Sequence, residues 1–406
     1  IYKGEALALR AFMHFDLMRL FAEQITVNPT ADGIPYATEF SLKTPDFESL
    51  SDNYAHVIAD LTEAERLLAD EKQHSGQTAF MSDRHIHINI DAVRSLLARV
   101  YLTKGDKAKA LEYAEKVING PHKLFTDQSA DYDPACGFTP YQMLFMGDNG
   151  ESGASQEAIL PLINDGKTTT AYGCTYFLIS SQWKADMEVD AADASCGDPW
   201  SGNRIRGAFL TKFFPNGDAP QATISEMAAA AGDDRALFHG KDRELIITKP
   251  TEFTSGYSVG KFRSSKSDGS AQNDPKVPDT DFFLMRSAEA YLIAAEADAR
   301  LNGGTTTATG TGYLNQLRAR ANASSMNQFS LNQVLDERGR ELYCEGFRRT
   351  DLIRFGYYGG AKSSEYLWEW KGGAESGVGF NETKNLFALP FDDINVNKNL
   401  KQNPGY

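Results

Sequence analysis

The 406-residue chain lacks an excess of basic residues, since 41 lysines and arginines stand against 55 aspartates and glutamates and give a net charge of −14. This charge repels a phosphate backbone and no Lys/Arg-rich stretch compensates for it, which excludes nucleic acid as a partner. No run of about 18 apolar residues occurs, so the sequence contains no candidate transmembrane helix. The composition, 41% hydrophobic and 24% charged, is that of a globular protein.

Cysteine is scarce, and the four present form no CxxC pair and no Cys/His spacing that binds zinc. Cys174 and Cys196 share a loop-rich region and would be able to pair in an oxidising compartment, but no disulfide is predicted; Cys344 is predicted to lie in a helix and to pack in the core. The sequence also lacks GxSxG, HExxH, GxxxxGK[ST] and a helix-opening GxGxxG, the common nucleophile, metal and nucleotide signatures. We expect that the protein binds no cofactor and is not an enzyme, although the abundant acidic residues do not exclude the pair of catalytic carboxylates that a glycosidase needs.

Helical periodicity dominates both ends of the chain. The first segment predicts a helix with one wide apolar, core-facing stripe formed by Leu9, Phe12, Met13, Leu17, Leu20 and Phe21. Proline and glycine in residues 22–50 predict a long loop after it. Helices are then predicted over 51–69, with Ser51 as the N-cap, and over 91–103 and 107–117.

Two helical hairpins have the pattern of a tetratricopeptide repeat. In residues 101–120, Gly105 and Asp106 form the turn, and Ala110 and Ala114 are small enough for two helices to approach closely. A second hairpin is predicted from residues 288–304 and 313–323, with an unusually long linker at 305–312. Helices of this kind cannot bury their own faces, so at least three repeats must stack.

A charge-dense segment, DERGRELYCEGFRRTD at residues 336–351, is predicted to be one helix. Its opposite charges recur three and four positions apart, so they are expected to pair on one helical face and to strengthen a scaffold. A catalytic role is less well supported, because each carboxylate has an arginine within one turn. The chain ends in NLKQNPGY, which we predict to be a fixed coil.

The middle of the chain, residues 126–280, has a different composition and is predicted to be a loop-rich insert. Gly, Asp, Ser and isolated aromatic residues are frequent, with short possible strands at EAILPLI (157–163) and ELIITK (244–249) and a helix around 224–231. Loops held by a rigid scaffold are where binding residues concentrate, so we expect the functional site here.

These motifs together resemble the SusD/RagB family. The resemblance rests on RAFMHFDLMRLFA and DGIPYA, the hairpin at Gly105, DFFLMRSAEAYLIAAEADARL, LNQLRARA, ERGRELYCEGFRRTDLIRFG and NLFALPFDDINVNKNLKQNPGY. It implies a mainly α fold, in which tetratricopeptide-like hairpins form one domain over residues 1–406. The sub-regions would be helical residues 1–125, the insert at 126–280, and helices with a closing coil at 281–406.

The resemblance also implies a function and a location. Members of the family bind glycans at the surface of the outer membrane, without catalysis, and pass oligosaccharide to a SusC-like TonB-dependent transporter. The resemblance implies a lipidated cysteine upstream of Ile1 as the membrane anchor. Two alternatives remain open at this stage, a scaffold that binds a protein or peptide on its helical repeats and a glycoside hydrolase.

Aromatic side chains in the insert are the candidate sugar-binding residues, because a pyranose stacks its C–H face on a flat ring and its hydroxyls need polar partners. The candidates are Tyr172, Tyr176, Trp183, Trp200 and Tyr257, with Asn164, Asp165, Asn203 and Arg204 nearby in sequence. The alternative for each ring is that it forms the insert's own core. Tyr36 and Phe40, near Asn28 and Asp32, form a weaker second cluster. Trp368 and Trp370 are interpreted as packing residues.

No metal site is predicted. His85 and His87 have the spacing of two strand ligands but lack a third ligand, so an extended linker with exposed histidines is favoured. The acidic stretch Asp186, Glu188, Asp190, Asp193 and Asp198 fits no twelve-residue calcium loop, and we interpret it as a solvated surface rather than a calcium site.

Overall fold

The computed structural model describes residues 1–41, 44–71, 84–164, 203–252, 254–263, 281–357 and 385–406. This part contains twelve α-helices and five short strands. The helices are α1 (Tyr2–Phe21), α2 (Leu50–Leu68), α3 (Ile90–Lys104), α4 (Lys107–Ile118), α5 (Pro140–Met143), α6 (Gly207–Phe213), α7 (Ile224–Ala231), α8 (Ser287–Leu301), α9 (Ala308–Arg320), α10 (Leu331–Leu342), α11 (Arg348–Phe355) and α12 (Phe391–Val396). The strands are β1 (Ala158–Leu162), β2 (Arg204–Ile205), β3 (Phe238–His239), β4 (Tyr257–Val259) and β5 (Phe282–Arg286).

The predicted mainly α class is confirmed. The chain forms two compact units, one made of residues 1–117, 347–369 and 379–406 and the other of residues 118–346 and 370–378. Helices α8, α9 and α10 therefore belong to the same unit as the described residues of the insert. None of the helices in the described part is long and apolar enough to cross a membrane.

Helix α1 packs on α2 through the face opposite to the predicted one. Its buried residues are Gly4, Ala8, Ala11, Phe15 and Met18. By contrast, Leu9, Met13 and Leu17 are 44–59% exposed. The predicted core-facing stripe is thus wrong for these three. The physical reason is close approach, because a Cβ added at Gly4 would lie 3.0 Å from Leu68, and small residues let α2 pack tightly against this side.

Local hydrogen bonds set the helix ends in the first unit. The Ser49 hydroxyl accepts a hydrogen bond from the backbone N–H of Asp52 at 3.1 Å, so Ser49 is the N-cap of α2 rather than the predicted Ser51. Asn89 caps α3 in the same way. Gly105 ends α3 with φ +86°, a left-handed conformation that glycine adopts without strain, which confirms the predicted turn before α4.

The second unit contains two small antiparallel sheets, β1 with β5 and β2-β4-β3 in that order. Strand β1 and helix α7 confirm their predictions. The predicted strand at ELIITK is wrong, because residues 244–249 form only an isolated bridge, between Glu244 and Ser255. Tight turns hold this stretch instead, and the hydroxyl of Ser255 accepts hydrogen bonds from the backbone of Thr248 and Lys249, each at 2.9 Å.

The charge-dense segment is two helices and not one. Helix α10 ends at Leu342, and α11 begins at Arg348. Between them Cys344 and Gly346 have φ values of +61° and +82°, which a helix cannot accommodate. Cys344 is consequently an exposed turn residue, whereas the sequence predicted a buried helical one.

The closing coil is fixed by hydrogen bonds to the end of α1, as predicted. The last carbonyls of a helix have no partner inside it. The backbone N–H of Phe387 donates to Leu20 O at 3.0 Å, and the Asn403 amide donates to Phe21 O at 2.9 Å. Arg349 donates to Arg19 O at 2.8 Å. Asparagine and arginine side chains of the C-terminal region therefore act as a cap for the first helix.

Candidate ligand-binding site

Four of the aromatic candidates, Tyr172, Tyr176, Trp183 and Trp200, and also Asp165, lie outside the described residues. The residues on both sides of the segment 165–202 are described, and they belong to one compact unit. Before the segment, β1 pairs with β5, and the backbone N–H of Asn164 donates to Asp281 Oδ1 at 2.8 Å. After the segment, β2 pairs with β4. Both ends of the candidate segment are thus tied to sheets.

The three-stranded sheet brings the backbones of Asn203, Arg204 and Tyr257 close together. The backbone carbonyl of Asn203 accepts from Val259 N–H at 3.1 Å, and β2 is in register with Tyr257 and Ser258 of β4. The Arg204 guanidinium donates to Glu252 O at 2.8 Å, to Ser255 O at 2.6 Å and to Pro250 O. Arg204 therefore holds the turn before β4 through three hydrogen bonds to backbone carbonyls.

The ring of Tyr257 does not offer a stacking face. Tyr257 is 2% exposed and belongs to a core cluster with Phe214, Phe238 and Tyr343. A Cβ added at Gly240 would lie 2.9 Å from this ring, so the backbone there packs directly against it. The structure corrects the prediction for this residue, because a sugar needs an open ring face and both sheet and core cover this one.

A buried cluster of charges fixes β5 and, through it, the start of the candidate segment. Arg286, at the end of β5, pairs with Glu157 at 2.9 Å and with Glu341 at 2.7 Å. It also pairs with Glu345 at 2.8 Å, and the Lys261 ammonium pairs with Glu345 at 2.7 Å. All five side chains are at most 9% exposed. The network joins residues of the insert to residues of the C-terminal helices within one unit.

Burial and charge act in opposite directions on this cluster. Burial alone would raise the pKa of Glu341, but attraction by Arg320, Arg286 and Arg235 outweighs it and holds the pKa well below its ordinary value. The pKa of Glu345 is lowered for the same reason, since Arg286 and Lys261 outweigh its burial. Glu341 and Glu345 are therefore ionised and paired, which is the state of a structural network rather than of a general acid.

Asp281, whose carboxylate accepts a hydrogen bond from the backbone of Asn164 just before the candidate segment, differs from this pattern. Burial raises its pKa to about 7, and repulsion by Glu151 and Asp148 adds to the rise, although backbone N–H groups of Asn164 and Gly150 oppose it. No cation is among these causes. Sequence reasoning noted Asp281 only as the start of a family motif, because the backbone group it binds lies 117 positions away.

The two aromatic candidates of the first long loop, Tyr36 and Phe40, differ in exposure. Tyr36 is 7% exposed, and its ring lies between His14, with centroids 4.1 Å apart, and His56, at 5.0 Å. Its hydroxyl donates to Asp60 Oδ2 at 2.7 Å. Both faces of Tyr36 are therefore occupied, which corrects the prediction of a sugar contact. Phe40 is 94% exposed and stays a candidate.

The histidine motif has a structural role. His85 lies in a 3-10 helix at Arg84–Ile86, and both His85 and His87 are partly buried rather than exposed in an extended linker. His87 Nδ1 is 3.4 Å from Glu5 Oε2. No three His, Cys, Asp or Glu side chains of the described ranges come together as metal ligands. The acidic stretch 186–198, Cys174, Cys196, Trp368 and Trp370 lie outside those ranges.

The described architecture is that of a helical scaffold with a sheet-anchored, loop-rich insert. Residues 240–406 match the family model of the SusD family, and residues 2–102 match a model described as starch-binding and associating with the outer membrane. The chain is 33% identical to the starch-binding protein SusD of Bacteroides thetaiotaomicron, covering 100% of this chain and 72% of that protein. The chain belongs to the SusD family.

Further relatives agree with this assignment. The chain is 27% identical to SusD-like protein P2 of Formosa agariphila, covering 99% of this chain and 74% of that protein. A crystal structure of a SusD superfamily protein from Bacteroides vulgatus superposes with a TM-score of 0.67 at 23% identity, covering 100% of this chain and 77% of that one. The structure of a laminarin-binding SusD-like protein superposes with a TM-score of 0.64 at 21% identity, covering 99% of this chain and 78% of that one. These two structures share the fold.

Proposed function

We propose that this chain binds oligosaccharide or polysaccharide at the cell surface, without catalysis, through aromatic side chains of the segment 165–202. The observation that carries the proposal is membership of the SusD family, with a starch-binding relative that matches the whole chain. The anchoring of both ends of that segment to sheets supports the same conclusion, because binding loops need a rigid support.

The chemistry of such a site predicts modest affinity. A flat ring contributes about 1 kcal/mol beyond its buried area, and a shallow platform buries little area. The rings with this role are Tyr172, Tyr176, Trp183 and Trp200, with the side chain of Asn203 beside them in sequence. Phe40, on the exposed surface of the first loop, is a separate and weaker candidate.

Affinity electrophoresis in gels that contain amylopectin or laminarin tests the site. The variant that combines Tyr176→Ala, Trp183→Ala and Trp200→Ala is expected to lose the retardation that the unchanged chain shows. Phe391→Ala is the matched control, because its ring is 75% exposed in α12 and lies outside the insert. Unchanged retardation of the triple variant, together with an unchanged melting temperature, would place the sugar site elsewhere.

Two further assays, for reducing-sugar release and for protein or peptide binding, test the alternative functions of a glycoside hydrolase and a protein-binding scaffold. Release of reducing sugar from a polysaccharide, abolished by a single carboxylate substitution, would establish a glycoside hydrolase. We expect no release, because the described carboxylates with lowered pKa values inside the cluster are held by cations. Binding to a protein or peptide alone, with no glycan retardation, would favour a repeat scaffold for a protein partner.

We further propose a SusC-like TonB-dependent transporter as the partner and an outer-membrane lipoprotein as the cellular form. The match of residues 2–102 to a model for proteins that associate with the outer membrane supports this location. Copurification of the chain with a co-expressed transporter barrel tests the partnership. Recovery of the chain without the barrel, under conditions that keep related pairs together, would contradict it.

A further inference from the structure

Three stretches of the second compact unit meet at Asp281, which is 2% exposed. Its Oδ1 accepts a hydrogen bond from the backbone N–H of Asn164 at 2.8 Å, directly before the candidate segment. Its own backbone N–H donates to Gly147 O at 2.8 Å, and the backbone N–H of Gly150 donates to its carboxyl. Asp281 therefore joins the loop that contains both glycines to the end of β1 and the start of β5.

The loop packs closely against this carboxyl. A Cβ added at Gly150 would lie 3.1 Å from Asp281 Oδ2, so the loop backbone is in contact with this oxygen. Oδ2 is buried and has no hydrogen-bond partner within the described ranges. The next residue, Phe282, opens β5 and is in register with Leu162 of β1. The position of Asn164 is thus set by strand pairing and by the carboxyl of Asp281.

The groups that face Asp281 disfavour a negative charge on it. Burial opposes the charge most, and the loop carboxylates Glu151 and Asp148 repel it, so the pKa of Asp281 is raised to about 7. The backbone N–H groups that bind the carboxyl act in the opposite direction and do not outweigh these effects. Arg286, the cation of β5, is engaged with the buried carboxylates of the charge cluster.

The two protonation states of Asp281 differ in how firmly they hold Asn164. The neutral acid carries its proton on Oδ2, because Oδ1 accepts the hydrogen bond from Asn164. Ionisation places charge on a buried oxygen that has no donor and lies near two other carboxylates. That cost is relieved when the side chain turns towards water, which breaks its hydrogen bond to Asn164. Ionisation therefore favours release of the residue that leads into the candidate segment.

We propose that Asp281 is a positioning residue for the segment 165–202, and that its ionisation loosens the start of the segment and weakens glycan binding above neutral pH. This inference rests on the proposed function, because it needs a glycan that is bound by this segment. The aromatic rings proposed there and a neutral glucan carry no group that ionises between about pH 6 and about pH 8.5. A slope of affinity in this range therefore reports on the residues that hold the segment.

Affinity electrophoresis in amylopectin gels at several pH values tests the role of Asp281. The unchanged chain is expected to bind about 3- to 10-fold more weakly at about pH 8.5 than at about pH 6. Asp281→Asn should remove this slope, because the amide accepts from Asn164 without ionising. Asp234→Asn is the matched control and should keep the slope, since burial also raises the pKa of Asp234, to about 6, but its carboxyl binds Thr139. Melting temperatures at each pH exclude unfolding as the cause.

Hydrogen exchange at the backbone N–H of Asn164 measures the same hydrogen bond without a glycan. At about pH 8.5, exchange should be about 10-fold faster in the unchanged chain than in Asp281→Asn, and near pH 6 the two should be equal. The proposal is overturned if exchange never differs between the two chains, or if it differs and the affinity of the unchanged chain has no slope. Glycan binding that survives in the triple aromatic variant overturns the proposed function instead, and exchange at Asn164 still decides the role of Asp281.

Discussion

Glu341 is the residue on which the charge cluster of the second unit depends. It is fully buried and pairs with Arg286 at 2.7 Å, with Arg235 at 3.5 Å, and with Arg320. Three cations thus share one fully buried carboxylate. Removing the charge of Glu341 takes one carboxylate partner from each of three buried guanidinium groups, which weakens the compensation of their charges although each keeps another carboxylate.

We expect Glu341→Gln to lower the free energy of unfolding by about 3–5 kcal/mol, because three buried guanidinium groups each lose one carboxylate partner. Urea denaturation followed by circular dichroism measures this change. Glu112→Gln is the control, because Glu112 pairs with Lys109 and Lys116 on the surface and such pairs contribute little. A loss as small as that of the control would show that Glu341 is dispensable.

At the scale of elements, two glycines show how the same residue type serves opposite purposes. Gly33 lies in the long loop beside Asn53, whose side chain binds the backbone of Ile34 through both its oxygen, at 2.6 Å, and its nitrogen, at 2.9 Å. A Cβ at Gly33 would lie 2.0 Å from Asn53 Oδ1. Gly312 lies within α9, with nothing within 4 Å of an added Cβ.

The two glycine-to-alanine substitutions should therefore change stability in opposite directions. Gly33→Ala is expected to destabilise the first unit by about 1–3 kcal/mol, since Asn53 must give up buried hydrogen bonds. Gly312→Ala should stabilise the protein by about 0.5–1 kcal/mol, because alanine loses less backbone entropy than glycine when the chain folds into a helix. Melting temperatures of the two variants measured side by side check this. Equal shifts of one sign would contradict the assigned role of Gly33.

At the scale of the whole molecule, two groups of carboxyls oppose each other as pH changes. Burial raises the pKa of Asp281 to about 7 and, with repulsion by Asp233, that of Asp234 to about 6. Their stabilisation is complete below about pH 4 and is lost as pH rises through these values. Glu341 and Glu345 have lowered pKa values, so their stabilisation is present above about pH 4.5 and is lost in acid.

Stability should therefore be highest near pH 5 and decline toward pH 7.5. We expect Asp281→Asn to flatten this decline by on the order of 1–2 kcal/mol, because the neutral amide still accepts from Asn164 but does not ionise. Free energies of unfolding at several pH values measure the slope. Asp392→Asn, at an exposed position of α12, should leave it unchanged. An unaltered slope in the Asp281 variant would refute the assignment.

The sequence alone determined two kinds of feature, local structural elements and the family to which the chain belongs. The course of α1, α3, α4 and α7, the turn at Gly105 and the fixed closing coil follow from periodicity and from glycine chemistry within a few positions. The family motifs identified the fold class, because several of them occur along the chain in an order that is specific to the family. The frame of the candidate site, β1 and its neighbours, was predicted only in part.

The tertiary structure decided which groups meet. It buries the small-residue side of α1 rather than its leucines, places Tyr36 between two histidines, and buries the ring of Tyr257. It also gives Glu341 partners 21, 55 and 106 positions away, where helical spacing predicted neighbours on the same face. Burial and ion pairing depend on residues distant in the chain, and local spacing carries no information about them.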